Sequence, residues 1–154
     1  MLSHKLIESV ERHCDQILDG LVTQVRRDPD LQHVRKLPEA ELRERGCTVL
    51  RNLDQWLIEG RNALLLHQYE HLGRVRYEEG IPLHEVVRLL QLLKERTVGF
   101  VRDWGFGQPA AEVQAEEEVE YVVDRFFDRL LYHLVKGYEQ ALRKAAQVGG
   151  LAHP

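Results

Sequence analysis

The side chains with most chemistry to offer are eight histidines and two cysteines. His67 and His71 stand four apart, with Glu70 beside them. On a helix that spacing puts both imidazoles on one face, and such a pair can hold two corners of a zinc or iron site. A third donor, His133 or His84, would have to arrive through folding. The bland alternative is two surface histidines flanking an apolar stripe, and an i,i+4 histidine pair alone is a weak signal. Haem would need one proximal histidine facing an open apolar pocket, with His71, His84 and His133 the formal choices. The paired Glu-x-x-His motifs of di-iron bundles are missing from the sequence.

Cys14 and Cys47 are too few for a disulfide framework and lack Cys-x-x-Cys spacing. Each falls on or beside an apolar helical stripe, so both are expected as small, reduced core residues. No nucleophile elbow or phosphate-binding glycine loop occurs, and the only serines are Ser3 and Ser9. Acid pairs such as Glu78-Glu79 fit solvated helix ends. The chain is not expected to be an enzyme, and no cofactor, metal or haem is expected.

Composition sets the wider bounds. A chain of 154 residues suits one domain, and 44% hydrophobic with 30% charged residues is ordinary for a globular protein. Aromatics are only 7%, so leucine and valine must fill most of the core. Net charge is −4 with basic and acidic residues interspersed, and no clustered positive face points to nucleic acid. No apolar run approaches the ~18 residues of a membrane helix. The opening "MLSHKLIESVERHCDQ" is too polar for a signal peptide, which predicts a cytoplasmic location.

Five helical stretches carry these residues, and no strand is predicted. The first covers about 2–26, with Leu6, Val10, Cys14, Ile17, Leu21 and Val25 on one face. Pro29 ends it, and 28–37 is a connector with room for one short turn. The second opens at Pro38, buries Leu42, Val49, Leu50, Leu53 and Trp56-Leu57, and ends near Gly60. The third runs from about Asn62 to Glu79, on Leu65, Tyr69, Leu72 and Val75-Arg76. The fourth, about Pro82 to Trp104, is apolar over more than half its circumference and should be central or at an interface. The break Gly105 to Pro109 precedes a fifth helix over about Ala110 to Ala146, with a core line of Val119, Val122-Val123, Phe126, Leu130, Leu134, Tyr138 and Leu142. At roughly 50 Å it either kinks near Gly137 or projects. Residues 1–146 are read as one domain and 147–154 as a flexible tail or linker.

The stretch "RVRYEEGIPLHEVV" predicts a tight corner. Gly80 suits the left-handed end of one helix and Pro82 the first residue of the next. Arg76 can reach its own last carbonyls, or Glu85 across the corner. The wider block "YEHLGRVRYEEGIPLHEVVRLLQLLKE" resembles the N-terminal domain of the RsbRD type, from regulators of the stressosome and sigma-B pathway. The matching residues are Arg76, Glu79-Gly80, Ile81-Pro82-Leu83, Glu85-Val86 and the leucine-rich helix after them, with Trp56 upstream and the helical layout over about 5–140.

This resemblance implies an all-α, globin-like sensory domain of five to six helices without haem. It implies a homodimer acting on a signalling partner through a downstream output domain. No output domain follows residue 154, so the chain is expected to be a fragment of a larger regulator or to work in trans. The surplus apolar surface of the fifth helix makes Phe127, Leu131 and Val135 the expected dimer interface. Two rival readings stay open: a haem- or metal-binding helical protein, and a helical adaptor with no ligand.

Overall fold

The computed structural model describes residues 2–53, 55, 63–105 and 110–152. The stripe of Leu6, Val10, Cys14, Ile17, Leu21 and Val25 is buried, with no member more than 4% exposed. It is carried on two helices where one was predicted: α1 spans Leu2–Arg12 and α2 spans Cys14–Arg27. The break falls at His13, whose φ of −104° and ψ of 21° are not helical. Its Nδ1–H donates to the Ser9 carbonyl at 2.8 Å, the same oxygen that accepts its backbone N–H at 2.9 Å. A side chain bonding back to that carbonyl distorts one peptide. The ladder resumes at once, with Ile17 N–H on the His13 carbonyl at 3.2 Å.

The connector holds one 3-10 turn, Val34–Lys36, and α3 follows over Glu39–Arg51. Pro38 caps α3, its carbonyl accepting the N–H groups of Glu41 and Leu42 at 3.1 Å each. Trp56, Leu57 and Gly60 lie outside the described residues, as do the side chain of Trp104 and the break at 106–109. α4 spans Ala63–Glu78, α5 Leu83–Gly105 and α6 Ala110–Ala152. Among the described residues there are six helices and no strand, an all-α bundle with a long C-terminal helix.

α6 is the organising element, packed chiefly on α4, then on α5 and α1, while α2 packs on α3 and α5. Val119, Val123, Phe126, Phe127, Leu130, Leu134 and Tyr138 form its buried line. Each such large side chain, moved from water into the core, contributes about 1.5–3 kcal/mol. α6 runs through Gly137 without a break in the helix. This glycine is the point where α4 and α6 touch backbone to backbone: a Cβ there would meet Glu70 main-chain atoms, and one on Gly73 would meet those of Leu134 and Tyr138.

Beyond Tyr138 no residue of α6 whose burial is described, 139–149, is buried, so this part of the helix projects. Leu142, predicted as core, is 48% exposed because the bundle has ended before it. The stretch 147–152, expected as tail or linker, continues the helix.

Candidate functional site

The corner between α4 and α5 is built as its residue types require. Gly80 has φ +77°, the only positive φ among the described residues. Its N–H donates to the Tyr77 carbonyl at 2.9 Å, and Ile81 N–H donates to the Arg76 carbonyl at 3.2 Å. These two bonds are the Schellman pattern that closes a helix through a left-handed residue. Pro82 then caps α5, its carbonyl accepting Glu85 N–H at 3.0 Å and Val86 N–H at 3.2 Å. Pro82 therefore stands one place before the first residue of the helix, where its own missing N–H is of no consequence.

Two charge systems flank the corner, and they do not meet. Arg76 is buried and donates to Glu79 at 2.9 Å. Glu79 also accepts from Arg45 of α3 at 3.1 Å, and Arg45 pairs in turn with Glu41. Burial pulls the Arg76 guanidinium below its usual value. Burial would raise the Glu79 carboxyl, but the Arg45 and Arg76 hydrogen bonds outweigh it and hold the group below the ordinary range.

Glu85 turns away from Arg76. Only 1% exposed, it accepts the backbone N–H groups of His33 at 2.9 Å and Val34 at 3.1 Å, and His33 Nδ1 lies 2.6 Å from its second oxygen. It is the side chain that ties α5 to the 3-10 turn of the connector. The signal for this was a carboxylate at a position otherwise suited to core, opposite a segment with unpaired N–H groups.

An apolar cavity of about 40 Å³ lies behind Arg76 and Arg45, walled by Leu21, Leu42, Leu72, Val86, Leu90 and Leu134 among others. It is far below the several hundred Å³ of an ordinary small-molecule pocket. The corner is bonded to α6 as well. The Tyr138 hydroxyl donates to the Ile81 carbonyl at 2.7 Å, and its ring meets Tyr77 edge-on at 5.4 Å.

The histidines separate. His67, His71 and His84 are exposed. Glu70 reaches across to His133 of α6, 2.7 Å from Nδ1, and that hydrogen bond, followed by the charge of Lys136 among smaller effects, holds its carboxyl below the usual range. The cysteines come together instead. Cys14, at the start of α2, and Cys47 of α3 have both thiols buried, and their sulfur atoms and an Asp15 carboxylate oxygen lie within 4.8 Å of one another. The Cys47 thiol points at Asp15 Oδ1 over 3.7 Å. Burial, then the neighbouring Cys14, pushes Cys47 up to about 12. No spacing in the sequence could have paired two cysteines so far apart.

The residues expected at a dimer interface divide. Phe127 is 3% exposed and packs edge-on against Phe126 at 5.4 Å, so it belongs to the core of its own chain. Leu131 and Val135 are half-buried. Among the described residues the large apolar groups left outside are Tyr121 and Tyr132, 63% and 62% exposed, with Leu142 and Val148 further along α6. Eleven residues is three turns of helix, so a helical wheel would have placed both on one face with Val135.

The all-helical bundle, the Arg76–Glu79 pair, the positive φ of Gly80 and the Pro82 cap set the observed geometry beside the motif residues one by one. Neither a curated protein nor a solved structure gives a match to this chain. A family model does, that of the RsbT co-antagonist protein rsbRD N-terminal domain, over residues 15–150. With five of the six described helices essentially covered and only α1 wholly outside the match, the chain belongs to the family of rsbRD N-terminal domains.

Proposed function

We propose that this is a non-catalytic sensory or regulatory domain, residues 1–146, that works as a homodimer and passes its signal along α6 to an output domain or signalling partner. The observation that carries the reading is the outer face of α6. Tyr121, Tyr132 and Leu142 are exposed along it, with Val135 half-buried between them, and the helix continues past the last buried residue. Apolar groups aligned on one face of a projecting helix are what a two-fold helical pairing covers.

The input end of such a relay is the Arg76–Gly80–Pro82–Glu85 corner. Tyr138 bonds that corner through Ile81 and sits where α6 leaves the bundle. A change that shifts the corner would move the base of the projecting helix through this hydroxyl and the Tyr77–Tyr138 ring contact beside it. The family's description as an RsbT co-antagonist supports a protein partner in bacterial stress signalling, and hence a cytoplasmic setting. Among the described residues no helix is long and apolar enough to cross a membrane.

Sedimentation equilibrium at micromolar concentration tests the dimer. The expected mass is twice 18.0 kDa, falling to 18.0 kDa in Tyr132→Glu with its helical circular dichroism unchanged. A native protein that sediments as a clean monomer would overturn the relay and leave a helical adaptor.

A further inference from the structure

We propose that Cys14, Asp15 and Cys47 form a site for a thiophilic metal ion of filled d shell, with Zn2+ the ion of choice. The proposal is independent of the dimer reading and departs from the sequence expectation of no metal. Two features of the fold create the site. Gly46 lets the α2 side chain of Leu18 lie so close to α3 that any Cβ there would run into it. Cys47 follows Gly46, and Cys14 lies one turn before Leu18, so the same crossing sets the two thiols face to face.

The donor atoms fit. Sulfur, sulfur and carboxylate oxygen already lie within 4.8 Å of one another. A tetrahedral ion with Zn–S bonds of about 2.3 Å needs its sulfurs about 3.8 Å apart. Closing the site therefore asks the sulfurs to approach by at most about 1 Å. Thiolate donors select Zn2+ or Cu+ over the hard ions Mg2+ and Ca2+.

Access and seclusion are both provided. Cys14 and Cys47 are 3% and 4% exposed, while Asp15 is exposed and opens the site to solvent. Three protein donors leave the fourth tetrahedral position to water. The balance is simple: two S–H bonds break, two metal–sulfur bonds form, and two protons leave to solvent past the Asp15 carboxylate.

The test uses the full chain, reduced with a phosphine and stripped with chelator, then titrated with Co2+ as an optical probe and with Zn2+. We expect one equivalent of Co2+ to give thiolate-to-metal charge transfer, Zn2+ to displace it, and two protons to be released per ion in weak buffer. Zn2+ should also raise Tm. Cys47→Ser should abolish the charge transfer. Because Asp15 is exposed, Asp15→Asn should leave folding intact, and it should weaken binding by at least about 10-fold, the loss that an outer-shell change alone already brings. His67→Ala/His71→Ala should bind like the native chain. Binding that survives in Cys47→Ser, binding lost with the histidines, or no binding by the reduced native chain would each overturn the site. So would a chain whose two thiols are recovered as a disulfide that reduction does not convert into a metal-binding form.

Discussion

Replacing Gly137 by alanine should drive α4 and α6 apart. In an isolated helix the change would help, since alanine is favoured over glycine by about 1 kcal/mol. Here the new Cβ would fall 2.6 Å from the Glu70 carbonyl carbon and 2.8 Å from its Cα, and nearer still to the carbonyl oxygen. These are main-chain atoms inside a helix and cannot rotate aside. Ordinary carbon contact is about 3.5 Å, so the two helices must part locally by about 1 Å or more. A gap of that size forfeits about a quarter to a half of the dispersion between facing groups, here Tyr69, Leu72, Leu130 and Leu134. Overpacking costs about 1–3 kcal/mol, and a main-chain obstacle belongs at the upper end. After the gain in helix propensity, the net loss is about 2 kcal/mol, or a fall in Tm of about 4–8 °C for a chain of this length.

Gly73→Ala strikes the same crossing, its Cβ 2.8 Å from the Tyr138 nitrogen. Once the helices have parted for one methyl the second fits more easily, so the double variant should lose less than the sum of the singles. Gly99→Ala, on α5 with nothing within 4 Å of its Cβ, is the control and should be neutral or stabilised by up to about 1 kcal/mol. Thermal and urea unfolding followed by far-ultraviolet circular dichroism measures the four variants against the native chain. If Gly137→Ala matches or exceeds the native stability, or if the two losses simply add, the backbone-tight crossing is wrong.

Gly80→Ala should cost about 1 kcal/mol by urea unfolding although its Cβ touches nothing, because φ is +77°; Gly80→Asn should recover part of that loss. Removing the buried Glu85 acceptor in Glu85→Ala leaves the His33 and Val34 N–H groups unpaired, for an expected loss of about 2–4 kcal/mol; a loss below 0.5 kcal/mol (roughly a surface substitution) would show that Glu85 does not hold the connector. Glu70 has a folded pKa below its unfolded value, so its contribution is present above the ordinary carboxylate range and fades as pH falls through the folded value. Glu70→Gln should therefore be less stable than the native chain by about 1 kcal/mol at pH 7, with the two curves converging in acid; a gap that widens in acid would reverse the sign.

The period of leucine and valine by itself determined that this chain is helical and which faces are core. Those positions follow from 3.6 residues per turn, a property local to each segment. The corner was legible for the same reason. Gly80 and Pro82 act through their own φ angles and missing atoms, and whichever neighbours they have, a left-handed helix end followed by a capped start is what they specify. Family membership rested on that same local pattern.

What tertiary structure decided is every relation between segments. Glu85 looked like a partner for Arg76 because nine residues separate them, yet it is claimed by Val34 and His33 from 51 and 52 residues away. Phe127 and Tyr132 are both aromatic residues on α6, and only the packing of neighbouring helices buries the first and exposes the second. The packing role of Gly137 was not legible because a glycine's sequence context does not reveal a second backbone lying against it. Cys14 and Cys47 carried no motif at all. Their meeting depends on how closely α2 and α3 cross at Gly46 and Leu18, a distance set by the absence of one methyl group, and no one-dimensional spacing encodes that.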